Sequence, residues 1–209
     1  MLRRSFIIAL VLIAFGLGSC RGQGTYQEEA DRLAKLLNWQ PGSVVADIGA
    51  GDGQMTLAAA KFVGATGKVY GTELDAKKLA HLEELAAKEK NLTALQAAET
   101  GTNLPPECCD SIFMRLVYHH LTKPAEIDSS LFRSLKPGGL LAVIDQEPRP
   151  GSSIPDGVPK NRVGHGVPQK IVIEELTDAG FQVATARDDW PSPDKTQQTY
   201  CVVFRKPAP

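Results

Sequence analysis

The sequence predicts an α/β protein built on a doubly wound, mostly parallel sheet of seven strands with helices on both faces. Three observations predict it. The run Val44-Val45-Ala46-Asp47-Ile48 is apolar up to an acid, breaks into alternating glycines at Gly49, Gly51 and Gly53, and passes into a helical pattern over Met55–Val63. Short apolar runs then alternate with helical patterns along the chain, the signature of parallel strands joined by crossover helices. The last two runs, Phe181–Arg187 and Thr199–Phe204, follow one another with no helical pattern between them, which suits an antiparallel closing strand.

In order, Thr25–Leu37 is helical: Tyr26, Ala30, Leu33, Leu36 and Leu37 share a face, and Thr25 with Glu28 makes a capping box. Pro41-Gly42 ends it, and Ser43–Ile48 is the first strand, apolar enough to be covered on both faces. After the helix Met55–Val63 and a loop at residues 64–67, Lys68–Glu73 is the second strand. Asp75 starts the helix Ala76–Lys90. Leu92–Ala97 is the third strand and Asp110–Arg115 the fourth, with Asp110 structural at its start. Pro124–Leu135 is a helix with proline in its first turn. Lys136-Pro137-Gly138-Gly139 turns into the fifth strand, Leu140–Ile144. Gln169–Ala179 is a helix stopped by Gly180, leading to the sixth and seventh strands. The order reads as one helix, five strand–helix steps and two closing strands. Residues 149–168 hold several Pro, Gly and Ser residues without periodicity and are too long for an ordinary connector, so they are expected to form a lid or substrate loop.

A strand, glycine turn and helix present unpaired N–H groups at the carboxyl edge of a parallel sheet, where ligands bind. The dinucleotide fingerprint G-x-G-x-x-G fails at its third position, which is Gln54, and Gly53 comes one residue early. That argues against a nicotinamide-dependent oxidoreductase, which stays an alternative. The pattern present, Asp47-x-Gly49-x-Gly51-x-Gly53, resembles motif I of the class I S-adenosylmethionine-dependent methyltransferases. The resemblance extends to Glu73 ending the second strand, to Leu104-Pro105 before Asp110 and an apolar strand, to Leu116–Leu121 after it, and to the turn Leu135-Lys136-Pro137-Gly138-Gly139. It covers about residues 26–206 and is less specific beyond the fifth strand.

The resemblance implies a Rossmann-like sheet in the order 3-2-1-4-5-7-6 and S-adenosyl-L-methionine as cofactor. It assigns cofactor binding to Asp47, Gly49, Gly51, Gly53, Glu73 and Glu99. Glu73 would take the ribose hydroxyls, since it lies about twenty residues past the glycine turn. Glu99 stands after the third strand, near the adenine, although Ala98-Glu99-Thr100-Gly101 departs from the commoner Gly-Asp-Ala. Methyl transfer needs alignment and in some cases a base, so no universal catalytic residue is implied. His119, His120 and His165 are the candidates for a base near neutral pH. Tyr118, Gln146, Glu147 and Arg162 are candidates for the acceptor pocket. No metal is expected, because neighbouring histidines point different ways and no further ligand is spaced to help them.

The chain has 209 residues, enough for one domain with a core, and 43% hydrophobic and 22% charged residues are ordinary for a globular protein. A net charge of −1 gives no electrostatic case for nucleic acid as a partner, so a small-molecule acceptor is expected. Met1-Leu2-Arg3-Arg4, the apolar run Phe6–Leu17 and Leu17-Gly18-Ser19-Cys20 read as an export signal over residues 1–19. The last four residues resemble a bacterial lipobox, with Cys20 lipidated and residues 20–25 a tether before the domain; a plain secretory signal and an uncleaved anchor are the other readings of this segment. This places an exported, membrane-associated domain opposite a cytosolic cofactor, so a non-catalytic binding protein on the same fold is the second alternative. Cys108, Cys109 and Cys201 form no C-x-x-C pair and are expected to be free, partly buried thiols.

Overall fold

The computed structural model describes residues 21–191 and 198–208. The export signal and Cys20 lie outside them. No described helix is long and apolar enough to cross a membrane. The elements are α1 (Arg21–Leu36), β1 (Val44–Ile48), α2 (Gln54–Val63), β2 (Lys68–Glu73), α3 (Ala76–Ala86), β3 (Leu92–Gln96), β4 (Cys109–Arg115), α4 (Pro124–Ser134), β5 (Leu135–Gln146), α5 (Gln169–Asp178), β6 (Gln182–Arg187) and β7 (Thr199–Arg205).

One seven-stranded sheet runs in the order β3-β2-β1-β4-β5-β7-β6. The pairs from β3 to β5 are parallel, and β7 is antiparallel to both β5 and β6. The expected strand order and the closing antiparallel strand are therefore present. The chain reverses its winding between β1 and β4, so the carboxyl ends of these strands open a crevice.

Strand residues alternate between two cores. Ile112, Met114, Leu141, Val143, Val202 and Phe204 pack with Ile127 and Leu131 of α4 and Val172 and Leu176 of α5. Val45, Phe113, Ala142, Ile144, Cys201 and Val203 face Leu33 of α1 and Ala59 and Val63 of α2. Trp39 closes this second layer and donates from Nε1 to the Ser111 hydroxyl at 2.8 Å. Leu82 of α3 covers Gly71 of β2, where a Cβ would stand 2.9 Å from it.

Several boundaries differ from the sequence reading. Helix α1 begins at Arg21, so its backbone takes in residues expected as tether and Thr25 lies inside it. Helix α3 stops at Ala86, and residues 87–91 turn back to β3. No helix joins β3 to β4, so the five strand–helix steps are four with one irregular crossing. Strand β5 starts at Leu135, because Leu135 already pairs with Cys109 and the Pro-Gly-Gly stretch is absorbed as a register shift. Gly139 packs there against Asp110 backbone oxygen, 3.1 Å from where a Cβ would be. Asp110 holds the neighbouring edge by accepting from the Val44 N–H at 2.7 Å and from Lys136 Nζ at 2.6 Å, the structural role expected of it.

Candidate active site

A cavity of about 740 Å³ opens above the carboxyl ends of β1, β2 and β4, within the size range of small-molecule sites. Gly49, Gly51, Glu73, Glu99 and His120 all line it. The glycine turn sets its floor. Gly49 has φ +69°, and a Cβ there would stand 2.6 Å from Val117 Cγ2. Gly51 has φ +60°, and its missing Cβ leaves open space. A ligand can approach the bare backbone at Gly51.

Glu73 is the second fixed point. It is 6% exposed. One carboxylate oxygen accepts from the Gly51 N–H at 3.0 Å, and the other from the N–H groups of Leu74 and Asp75 at 2.9 and 3.1 Å. These bonds lock the carboxylate between the two turns. A carboxylate offers about four acceptor sites, so one remains for a ligand hydroxyl. Asp75 caps α3 through the Lys78 N–H at 2.9 Å, as its position suggested. Glu99 is exposed on the far rim, in the tight turn closed by the Ala98–Gly101 bridge.

Two of the residues assigned to cofactor binding act otherwise. Gly53 does not line the cavity. It begins α2 at φ +73°, and the space a Cβ would need holds Leu85, 2.5 Å away. Asp47 is 2% exposed and turns away from the cavity, accepting from the Thr56 hydroxyl at 2.6 Å. It ties β1 to α2. Burial pushes its carboxyl up to about 7, against the opposing pull of the Thr56 hydrogen bond and Arg115.

The folded pKa of Asp47 thus lies above the ordinary 3.8, and the charged form is the disfavoured one. Its contribution to stability is complete below pH 3.8 and is lost as pH rises through about 7. Asp47→Asn keeps an acceptor for Thr56 and cannot ionise. Denaturant titrations from pH 4 to 8 should show a flatter decline in stability for the variant, with a difference of at most a few kcal/mol. Parallel curves would refute this account of Asp47.

The four residues expected in an acceptor pocket are not brought together there. Arg162 is fully buried and forks onto Glu175 of α5, with Nη1 and Nη2 at 2.8 and 2.9 Å from its two carboxylate oxygens. Tyr118 is also buried, its hydroxyl 2.9 Å from both Asp128 and Glu175. A polar core residue needs partners, and these two supply each other's surroundings rather than a ligand's. Gln146 is buried at the end of β5, where its carbonyl accepts from the Val167 N–H. Glu147 accepts from the Gln169 N–H at 3.0 Å, at the start of α5, and lines a different cleft. The segment 149–168 is pinned by buried Val158, Arg162 and Val167, so it is a strap rather than a loose lid.

The histidines do converge. His119 and His120 sit in a single 3-10 turn, Tyr118–His120, and the strap brings His165 beside them. Ring centroids lie 4.0 Å apart for His119 and His120, 4.9 Å for His119 and His165, and 5.3 Å for His120 and His165. The expectation that no further ligand would join the adjacent pair fails, because the strap crosses the end of β4. His119 is 2% exposed, with Nδ1 2.6 Å from Asp145 at the end of β5. Asp145 also accepts from the His119 backbone N–H at 3.1 Å. Burial and the neighbouring imidazoles hold His120 below the usual histidine range. Burial, His119 and Arg149 do the same for His165.

Arg115 was passed over in the sequence as a strand end. It ends β4 on the cavity wall and pairs with Glu29 of α1 at 2.8 Å. Glu29 also accepts from Trp190 Nε1 at 3.0 Å, so α1 holds the guanidinium in place. A basic residue four positions before a histidine pair was its only signal. The next residue, Leu116, has φ +55°, a strained value for a branched side chain, where the backbone turns over the cavity. Cys108, Cys109 and Cys201 are free. Burial pushes the Cys201 thiol up to about 12, so it is inert.

Residues 46–143 match the family model of a methyltransferase domain. The chain is 29% identical over 165 residues to a sterol methyltransferase-like protein of Botryococcus braunii, covering 73% of this chain and 40% of the relative. It is 31% identical over 134 residues to a trans-aconitate 2-methyltransferase of Rhizobium leguminosarum, covering 64% and 44%. The chain thus spans about two fifths of the length of these relatives. Among solved structures, a SAM-dependent methyltransferase from Aquifex aeolicus superposes with a TM-score of 0.68 at 25% identity, over 88% of this chain and 98% of that one. With the strand order and the glycine turn, these matches make the chain similar to methyltransferase domains, in sequence over residues 46–143 and in fold over 88% of its length.

Proposed function

We propose that the chain binds S-adenosyl-L-methionine above Gly49 and Gly51 and transfers its methyl group to a small-molecule acceptor. The observation that carries this reading is Glu73, locked by three backbone N–H groups with one acceptor site left at the cavity floor. The residues present fit the cofactor. The open space at Gly51 admits its amino acid part, the acceptor site left on Glu73 suits a ribose hydroxyl, and the Arg115 guanidinium suits a carboxylate. When bound, the cofactor supplies an activated methyl on a positive sulfur with a neutral leaving group. The chain's own work is to align that methyl with the acceptor and exclude water. Among the described residues, His120 is the histidine that lines the cavity.

The relatives are named for a sterol and for trans-aconitate, two unlike acceptors. A cavity of about 740 Å³ has room for a cofactor and a compact acceptor. The export signal and lipidation at Cys20 belong to the same proposal, resting on the basic, apolar and Leu-Gly-Ser-Cys order of residues 1–20. Lipid labelling that disappears in Cys20→Ser supports it, and label that persists refutes it.

Calorimetry with S-adenosylmethionine tests the cofactor. Glu73→Ala should weaken binding by about 1–3 kcal/mol, roughly 5- to 150-fold, the loss for removing a hydrogen-bonded charge. No binding by the folded chain, or equal binding by the variant, refutes the assignment.

A further inference from the structure

We propose that His119, His120 and His165 form a site for one divalent cation of the zinc class. One nitrogen from each ring lies within 4.8 Å of the others. A tetrahedral centre with Zn–N of about 2.0–2.1 Å puts its nitrogens about 3.3 Å apart, so the rings need close by only about an ångström or so. Three imidazoles with an open fourth position is a donor set that suits zinc and its neighbours rather than the oxygen-seeking cations.

A second observation points the same way. Asp145 is fully buried and its Oδ1 is 2.6 Å from His119 Nδ1. It also accepts from the His119 and Gln146 backbone N–H groups, which fixes the carboxylate in place. This bond puts the proton on Nδ1 and leaves the lone pair of Nε2 free. A carboxylate that orients a ligating imidazole through its far nitrogen is the usual outer support of such a centre.

Burial is graded across the three rings. His119 is buried, His165 is half-buried, and His120 is exposed and lines the cavity. The cluster is closed on the protein side and open on the cavity side, where the fourth position would face the cavity. One contact competes. Arg149 donates from Nη2 to His165 Nδ1 at 2.9 Å, and a guanidinium has no acceptor, so that nitrogen carries its lone pair. Arg149 is exposed, and cation binding there would exchange a solvated contact for a metal bond. A cation at this place would lower the pKa of a hydroxyl or thiol bound to it, easing its deprotonation without a protein base.

The site rests on geometry alone and stands apart from the methyl-transfer reading. The full-length chain, stripped with a chelator, would be titrated with Zn²⁺ by calorimetry and with Co²⁺ by visible absorption. We expect one equivalent of each, with the d–d bands of a four-coordinate cobalt centre. His120→Ala and His165→Ala should each weaken Zn²⁺ binding at least tenfold, and Asp145→Asn by about 10- to 100-fold. His120 and His165 are used because His119 is buried and its loss risks the fold. Circular dichroism verifies folding. A folded wild type that takes up no stoichiometric Co²⁺ overturns the proposal. So does equal Zn²⁺ affinity in wild type, His120→Ala and His165→Ala. S-adenosylmethionine titrations on the same samples keep the two claims separate, since either ligand can fail alone.

Discussion

Arg162→Met is expected to destabilise the fold by about 3–5 kcal/mol, the cost of removing one partner from a buried ion pair. Arg162 is fully buried, with its fork on both oxygens of Glu175 and its guanidinium carbon 5.6 Å from the Tyr118 ring centre. Removing it leaves Glu175 and Asp128 on either side of one phenol with no cation between them. The Tyr118 hydroxyl has one proton and cannot donate to both carboxylates. Burial pushes the Asp128 carboxyl up to about 7, against the pull of the Tyr118 hydrogen bond, with Glu175 raising it further. A protonated Asp128 completes the chain by donating to the phenol oxygen while Tyr118 donates to Glu175.

The sign follows. The folded pKa of Asp128 is raised, so its contribution is complete below the ordinary 3.8 and lost as pH rises through about 7. Without Arg162, which lowers that pKa, Asp128 holds its proton to higher pH. The deficit of Arg162→Met should therefore be largest near pH 8 and shrink toward pH 5. Arg162→Lys keeps the charge but loses the fork and should fall between wild type and Arg162→Met. Denaturation midpoints across this pH range measure both effects. A loss under about 1 kcal/mol would mean that the pair is dispensable.

The second large effect is expected at the glycine turn. Gly49→Ala should cut S-adenosylmethionine affinity by about 100-fold or more, since displacement of the cavity floor by about an ångström is enough to spoil alignment. The added Cβ would meet Val117 Cγ2 at 2.6 Å and Cγ1 at 2.9 Å. Val117 is β-branched and has few rotamers with which to yield. The positive φ adds about 1–2 kcal/mol of strain for any L residue with a Cβ. Gly49→Ala with Val117→Ala removes the collision and keeps the strain. The double variant should recover part of the affinity, with a coupling of about 1–2 kcal/mol between the two sites. Additive losses would show that the collision does not carry the effect. By contrast, alanine at Gly51 meets nothing closer than the Gly49 carbonyl oxygen at 3.9 Å and bears on the ligand's own space.

Much of the fold was legible because strand and helix periods differ and the glycine turn falls between them. The acid ending β2 was legible for the same reason, since a strand of fixed rise delivers Glu73 to the turn. Position on the carboxyl edge did not say where a side chain points. Asp47 turned into the β1–α2 contact because Thr56 offered a buried hydroxyl. Arg162 was read as a loop cation open to ligands, yet its partner lies in the following helix, 13 residues on. Nothing in local spacing signals burial of a charged residue in a Pro- and Gly-rich segment. His165 failed in the opposite direction. A third ring 45 residues from His120 becomes a neighbour only when the strap crosses the end of β4, a tertiary event with no period to announce it.

The central claim is that Glu73 and the glycine turn form one cofactor site. A crystal structure of the chain with S-adenosylhomocysteine tests it most directly. The account predicts the amino acid part of the ligand over Gly51 and a ribose hydroxyl within about 2.5–3.0 Å of the Glu73 carboxylate. A ligand bound elsewhere, or one whose ribose makes no contact with Glu73, would contradict it.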